Sequence, residues 1–156
     1  MTVRPLARAD RSLWLSMRQA LWPHHDRSAH AAETAALLDR PEDFGARNYA
    51  VFIARAADAT TVGFAECTRR DSVAFATASP VGYLEGIYVA SEHRRSGFGQ
   101  QLLRGVEHWA AALGCTALAS DATAENLESH AFHIAMGFTV VDQAPGDVTY
   151  FRKSLT

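Results

Sequence analysis

The sequence predicts an α/β fold in which helices flank a mixed β-sheet. Two segments, Tyr49–Arg55 and Val62–Arg69, alternate apolar with other side chains around a short Asp-Ala-Thr turn, which is typical of an antiparallel pair. Further on, an apolar strand over Gly82–Val89 leads through a glycine-bearing turn into a helical pattern and then into a second short strand, Thr116–Ala119. Because strands joined through a helix run parallel, the sheet must contain both strand directions.

The length and composition limit what kind of protein this is. A chain of 156 residues fits a single domain, residues 1–156, with a substantial core. With 48% hydrophobic and 21% charged residues the composition is globular. No apolar run is long enough to span a bilayer and the start lacks a signal peptide, so we expect a cytoplasmic protein without a membrane partner. A net charge of −2 without a basic stripe argues against nucleic acid as the substrate and leaves room for a cationic partner.

The N-terminal part predicts a strand and two helices. Val3–Ala7 forms a short first strand, and Asp10 stands where a helix N-cap would accept backbone N–H bonds. The helix that follows carries apolar residues at helical spacing, and Pro23 ends it. A second short helix covers about Ser28 to Leu38.

Between these helices lies an unusual segment, Trp22-Pro23-His24-His25-Asp26. One interpretation is a wall of a substrate site, in which Trp22 stacks on a sugar-like ring and His25 or Asp26 forms hydrogen bonds. The alternative is a core tryptophan beside a solvated polar loop. We expect no metal there, because no third ligand stands at a useful spacing.

The remaining elements follow from turns and periodicity. The loop Asp71–Pro80 is long for a hairpin, which suggests a functional flap. Gly114 ends the helix that precedes the strand Thr116–Ala119. Cys67 and Cys115 have no metal-ligand spacing, so each is expected to be a reduced, packed thiol. The last predicted elements are a helix over Asn126–Met136 and strands over Phe138–Val141 and Val148–Lys153, with a turn around Pro145-Gly146.

The turn after the strand Gly82–Val89 has the properties of an anion site. Gly97 and Gly99 would let an anion approach the N–H groups of residues 95–100 at the start of a helix, where the helix dipole is positive. Arg94 and Arg95 add full positive charges. The spacing lacks the third glycine of a dinucleotide loop and the Gly-Lys-Ser/Thr of a P-loop, so it indicates a pyrophosphate held by backbone amides. The alternative is an ordinary turn with a solvated arginine pair.

These residues resemble a known family. Arg94-Arg95-Ser96-Gly97-Phe98-Gly99, directly after a Leu-Glu-Gly-Ile-Tyr-Val strand, is similar to the acetyl-coenzyme A signature of the GNAT N-acetyltransferase superfamily. Within it, Leu-Trp-Pro at 21–23, the strand residues 83–86 and Ala-Ser-Asp at 119–121 are most similar to bacterial aminoglycoside 6'-N-acetyltransferases. Other segments that fit in order are Glu125-Asn126, Met136-Gly137-Phe138 and Tyr150-Phe151-Arg152-Lys153.

The resemblance implies a fold and an activity. The fold is a splayed mixed sheet of about seven strands flanked by about four helices. The activity is transfer of the acetyl group of acetyl-CoA to the 6'-amine of an aminoglycoside, by direct attack in a ternary complex and without a metal, which confers antibiotic resistance. Relatives commonly form homodimers. The alternatives are acetylation of a peptide N-terminus, a lysine or a polyamine, or a catalytically silent CoA-binding module.

The resemblance also implies how the coenzyme binds. Its pantetheine arm would pair with the backbone of Ile87, Tyr88 and Val89, and the N–H of Ile87 would hold the oxyanion formed on attack. The other residues expected to bind coenzyme are Arg94, Arg95, Ser96, Gly97, Phe98, Gly99, Gln100 and Asn126.

Three acids are candidates for the acceptor side. The attacking amine must be neutral, so a carboxylate is expected to take its proton, and Glu85 and Asp121 stand where they could do so and bind a cationic sugar. The alternatives are a solvent-facing charge for Glu85 and a helix N-cap for Asp121. Asp142 resembles another substrate-binding acid of the subfamily, with a solvated strand-end aspartate as its alternative.

The leaving thiolate needs a proton or a hydrogen bond. Most relatives place a tyrosine where this sequence has His133, which could interact with the sulfur. The alternative for His133 is a packed core histidine, and Tyr150 on the last strand is then a possible substitute.

Overall fold

A computed structural model describes residues 1–40, 48–141 and 146–156, which form seven strands and four α-helices. This confirms the predicted α/β class. Within these ranges no helix combines the length and apolar character needed to cross a membrane. In chain order the elements are β1 Thr2–Pro5, α1 Arg11–Leu21, α2 Arg27–Asp39, β2 Tyr49–Arg55, β3 Thr61–Arg70, β4 Val81–Val89, α3 Phe98–Ala112, β5 Ala117–Thr123, α4 Leu127–Ala135, β6 Thr139–Val140 and β7 Val148–Ser154.

The strands form one mixed sheet in the order β1-β2-β3-β4-β5-β7-β6. Strands β1 and β2 pair antiparallel, as β5 and β6 each do with β7, whereas β4 and β5 pair parallel. The parallel register joins Gly82–Leu84 to Leu118–Ser120, and both strands continue beyond their last paired residues. The short register agrees with the splay that the resemblance implies.

The residues group into two compact units, residues 1–66 with 86–105 and residues 67–85 with 106–156. In the first unit, one face of α1 is buried against strands β2 and β3, as its helical spacing of apolar residues requires. Leu13, which also belongs to the predicted apolar pattern, is half exposed. The buried residues of this core are Trp14, Met17, Val51, Ile53 and Phe64.

In the second unit, the loop over residues 71–80 contributes to the core. Its apolar residues Val73, Phe75 and Ala78 pack against a cluster formed by Val81 and Tyr83 of β4 with Ala117 and Ala119 of β5. The loop predicted as a flap is therefore anchored by apolar contacts. At Gly82 a Cβ atom would lie 2.7 Å from Leu118 and 2.9 Å from Ala110, so only glycine fits this close packing.

Asp10 is the N-cap residue of α1, as the sequence predicts, but its carboxylate accepts no hydrogen bond from the helix backbone. Its carboxylate accepts hydrogen bonds from the Arg4 guanidinium at 2.7 and 2.9 Å and from the Ala7 backbone N–H at 2.8 Å. A hydrogen bond from the charged Arg4 guanidinium on β1 is stronger than one from a neutral backbone N–H of the helix. The sequence spacing does not reveal that Arg4 is the partner. The predicted thiols are as expected, since Cys67 and Cys115 are both buried and neither forms a disulfide.

Strand β5 is longer than the predicted Thr116–Ala119 segment. It continues to Thr123 because residues 121–123 pair with Val148–Tyr150 of β7. Backbone pairing with β7 thus extends the strand through residues that the hydrophobic pattern leaves out. Asp121 consequently lies within β5 and does not cap α4, where Asn126 is the N-cap.

Candidate functional site

The predicted anion site is an exposed turn followed by the 15-residue helix α3. Arg95 and Gly97 have φ angles of 61° and 88°, in the left-handed region that glycine adopts freely. Arg94 donates from Nε to the Val89 carbonyl at 2.9 Å, which ties the turn to the end of β4. The first N–H groups of a helix have no partner inside it, so the turn presents backbone donors together with the predicted arginines.

The strand segment that precedes this turn carries the other coenzyme-binding candidates. Ile87, Tyr88 and Val89 lie beyond the last residue of β4 that pairs with β5, and all three are half-buried. The Tyr88 ring packs against Phe64, with 6.3 Å between the ring centroids. The structure thus places these three residues on a strand segment outside the parallel register, which is the geometry their predicted role requires.

Close packing explains why residue 86 is a glycine. A Cβ atom at Gly86 would lie 2.5 Å from the Trp22 indole and 2.9 Å from Leu21. The tryptophan therefore packs directly on the β4 backbone, next to the strand segment of the coenzyme-binding candidates. Sequence reasoning missed this contact because it joins two elements far apart in the chain.

Trp22 is half-buried, so one part of its side chain packs in the protein and another part is accessible to a ligand. Its ring lies parallel to that of His30 at 6.1 Å between centroids, and the Arg18 guanidinium lies 5.2 Å from the ring. His25 is exposed, and its Nε2 lies 3.0 Å from an oxygen of Glu33. Asp26 is the N-cap of α2, where its carboxylate accepts the Ser28 N–H at 2.9 Å.

Glu85 lies in a polar cluster on β3 and β4. Its Oε1 accepts a hydrogen bond from the Thr68 hydroxyl at 2.7 Å and another from the Arg70 guanidinium at 2.6 Å. The Glu85 side chain remains 27% exposed, so a ligand can reach it. Glu85 is thus an accessible carboxylate whose negative charge is matched by an arginine.

Asp121 belongs to the same cluster. The Tyr83 hydroxyl donates a hydrogen bond to Asp121 Oδ2, and the Arg70 guanidinium lies 3.7 Å from the centre of the Tyr83 ring. Burial, followed by the hydrogen bond to Asp121, raises the pKa of Tyr83, so the phenol remains protonated. Arg70 and Tyr83 therefore link the two predicted acids.

Sequence reasoning missed Thr68, Arg70 and Tyr83. Tyr83 and Glu85 are two positions apart on β4, as Thr68 and Arg70 are on β3, so each pair shares one face of its strand. The alternation of side chains along each strand was the only sequence signal for these residues. It predicts a polar cluster only once β3 and β4 are known to be neighbours in the sheet.

Three further residues named by the sequence analysis are Asn126, Tyr150 and Asp142. Asn126 accepts the Ser129 N–H at 3.1 Å as the cap of α4. Tyr150 stands opposite Asp121 in the β5–β7 register, and its ring packs against Phe75 at 4.7 Å. Asp142 lies outside the described residues.

His133 is almost completely buried, and both of its ring nitrogens are engaged. Nδ1 lies 2.7 Å from the Ser129 carbonyl, which can only accept, so Nδ1 carries the proton and Nε2 accepts from the Ser120 hydroxyl at 2.8 Å. The ring also stacks on Phe151, with 4.2 Å between centroids. This environment favours the alternative of a packed core histidine, and a role toward the leaving sulfur remains a prediction.

The buried position of His133 predicts a pH dependence of stability. Burial lowers the pKa of its imidazole, more than the hydrogen bond to Ser129 raises it. As pH falls below about 6.5, the unfolded chain takes up a proton that the folded chain does not, so the free energy of unfolding should fall. Thermal unfolding measured between about pH 8 and pH 5 checks this. His133→Gln should reduce the loss, while the exposed-site control His108→Gln should keep it, and equal pH profiles would refute the assignment.

Comparison with known proteins places the chain in a family. Residues 13–138 match the sequence model of the Acetyltransferase (GNAT) family. The chain is 42% identical to an aminoglycoside N(6')-acetyltransferase type 1 of Klebsiella aerogenes, over 98% of this chain and 96% of that protein. It is 41% identical to the enzyme of the same name from Stenotrophomonas maltophilia, over 99% of this chain and 94% of that protein.

Solved structures agree with this result. The aminoglycoside antibiotic 6'-N-acetyltransferase AAC(6')-IG of Acinetobacter haemolyticus superimposes with a TM-score of 0.82 at 34% identity, covering 94% of this chain and 96% of that one. AAC(6')-Iy, in complex with the bisubstrate analogue CoA-S-monomethyl-acetylneamine, gives a TM-score of 0.81 at 33% identity, covering 93% and 95%. The chain therefore belongs to the GNAT acetyltransferase family.

Proposed function

We propose that this protein transfers the acetyl group of acetyl-CoA to the 6'-amino group of aminoglycosides. The observation that carries the proposal is the position of two acids. Glu85 and Asp121 are the first residues after the last parallel pair of β4 and β5, Leu84 with Ser120. Their carboxylates belong to one accessible cluster, which suits a polycationic acceptor.

The names of the relatives support the choice of acceptor. The curated relatives at 41% and 42% identity are aminoglycoside N(6')-acetyltransferases. The bound analogue in AAC(6')-Iy joins coenzyme A to an acetylated aminoglycoside fragment. On this proposal, Trp22 and His25 contribute to acceptor binding, as the sequence predicts, and Asp142 is a further candidate for that role.

The coenzyme would be held by residues that follow Glu85 along the chain. The amides of residues 95–100 and the side chains of Arg94 and Arg95 would bind the pyrophosphate. The backbone of Ile87–Val89 would pair with the pantetheine arm, and the N–H of Ile87 would stabilise the oxyanion. The positive φ angles at Arg95 and Gly97 support this role, because such turns let successive N–H groups converge on an anion.

The reaction proceeds by direct attack on the thioester. Glu85 or Asp121 takes a proton from the ammonium group, and the freed nitrogen lone pair forms a bond to the carbonyl carbon. The carbon–sulfur bond then breaks, the attached nitrogen gives up its second proton to become an amide, and the departing thiolate takes up one proton, while the proton held by the carboxylate is released to solvent. No covalent bond to the protein is needed.

Arg70 should compete with the acceptor for Glu85. An exposed ion pair is worth up to about 1 kcal/mol, so we expect Arg70→Gln to lower KM for a cationic aminoglycoside by about two- to fivefold. Steady-state kinetics with varied acceptor concentrations measures this. Arg69→Gln is the matched control, because Arg69 pairs with the fully exposed Asp71 at 3.1 Å. A rise in KM for Arg70→Gln would mean that the arginine itself helps to bind substrate.

A matched pair of antibiotics tests the proposed function. Neomycin and paromomycin differ in carrying an amine or a hydroxyl at the 6' position. We expect saturable, acetyl-CoA-dependent thiol release with neomycin and kanamycin and little with paromomycin. Turnover of both neomycin and paromomycin would show that the acetylated amine is not the one at the 6' position. Turnover of none, with good activity on peptides or polyamines, would remove the proposal.

A further inference from the structure

We propose that His25, His30 and Glu33 form a binding site for a single Zn²⁺ ion, at the turn between α1 and α2. One donor atom of each side chain lies within 4.8 Å of the other two. The sequence argument against a metal was that a third ligand is missing near the two histidines. Helix α2 supplies two ligands beside His25, because His30 and Glu33 are three positions apart and share one face of the helix.

The buried histidine carries the strongest observation. His30 is completely buried, and its Nδ1 has no hydrogen-bond partner. Its Nε2 lies 3.2 Å from the carbonyl oxygen of Trp22, which can only accept, so Nε2 carries the proton and Nδ1 keeps a free lone pair. Metal-binding histidines typically donate their second N–H to a carbonyl in this way, which fixes the tautomer that can bind a metal.

The other two ligands are already close together. His25 Nε2 and Glu33 Oε1 are 3.0 Å apart. In a tetrahedral zinc site with bonds of about 2.0–2.1 Å, neighbouring ligand atoms are about 3.3 Å apart, so the ion can replace the hydrogen bond between this pair with little movement. The side chains of His25 and Glu33 are 45% and 43% exposed, which gives the ion a path of entry and leaves a coordination position for water.

The carboxylate is also prepared for this role. Arg18 binds Glu33 Oε2 at 2.9 Å, and Oε1 is the oxygen that faces His25. Two imidazoles and one carboxylate form a ligand set typical of zinc with an open fourth position. The bound ion would fix the turn that carries Trp22.

The test is zinc binding to the full chain without a histidine tag, after removal of metals with a chelator. Isothermal titration should show one Zn²⁺ per chain, and cobalt substitution should give the visible absorption of a four-coordinate ion. The melting temperature should rise with zinc concentration. These readouts do not depend on acetyl transfer.

Neighbouring histidines provide a matched comparison. His25→Ala should weaken zinc binding by about 100-fold or more, since even the loss of an outer-shell partner costs about 10–100-fold. His24→Ala removes the adjacent exposed histidine and should bind zinc as the unchanged protein does. Glu33→Gln provides a second ligand variant without touching the buried ring. The proposal is overturned if the unchanged protein shows no one-to-one binding, or if His25→Ala and Glu33→Gln both bind zinc normally.

Discussion

Glu85→Gln is expected to lower kcat/KM for acetylation of kanamycin by about 10²- to 10³-fold, within the usual contribution of a general base. Glutamine keeps the shape of the side chain and can still accept a hydrogen bond from Thr68, which lies 2.7 Å from Glu85 Oε1. What it loses is the negative charge, and with it both the proton acceptor and the attraction for the ammonium group. The measurement is steady-state thiol release with the aminoglycoside varied.

Two further variants make this result specific. Asp71→Asn removes one negative charge from the same unit at a side chain that is 93% exposed, and it should leave kcat/KM nearly unchanged. Asp121→Asn tests the second acid, and the variant with the larger loss in kcat identifies the base. KM for acetyl-CoA should change little in all three, because the proposed coenzyme contacts lie on other residues.

A different pattern would change the interpretation of the acids. If Glu85→Gln and Asp121→Asn raise KM for kanamycin while kcat stays the same, the acids bind the acceptor without taking its proton. If neither variant affects turnover, the acidic cluster is not the acceptor site, and the proposed function loses the observation that carries it.

Much of the fold could be predicted from local sequence. Strand β4, the glycine turn and helix α3 follow one another in a pattern of apolar residues and glycines that needs no information from distant residues. The extension of β5 could not be predicted, because residues 121–123 become a strand by pairing with β7. The partner of the Asp10 carboxylate could not be predicted for a similar reason, since Arg4 comes from another element.

In the candidate site, too, some features could be predicted from local sequence and others depend on contacts between distant residues. Glu85 and Asp121 could be selected from their positions next to buried strands. Their connection through Arg70 and Tyr83 depends on which strands are neighbours and which faces they share. His133 shows the limit most clearly, because only the packing reveals that Ser120, Ser129 and Phe151 surround its ring.

Glu66 is a buried acid whose contacts stabilise the helix that leads to Trp22. It is 2% exposed, and its Oε1 accepts from Trp14 Nε1 at 2.8 Å and contacts Arg18 Nε at 2.7 Å. Arg18 is also buried, and its guanidinium lies 5.2 Å from the Trp22 ring. Because both charges are out of water, each depends on the other for its stability.

Glu66→Gln is therefore expected to lower the free energy of unfolding by about 3 kcal/mol or more, since it leaves the Arg18 charge buried with less compensation. Urea unfolding at equilibrium measures the change. Adding Arg18→Met should recover part of the loss, so the double variant should be more stable than the sum of the single effects predicts. The matched control is Glu107→Gln, whose ion pair with Lys153 is partly exposed and should be worth only about 0–1 kcal/mol. Additive effects at residues 18 and 66 would show that the two charges do not depend on each other.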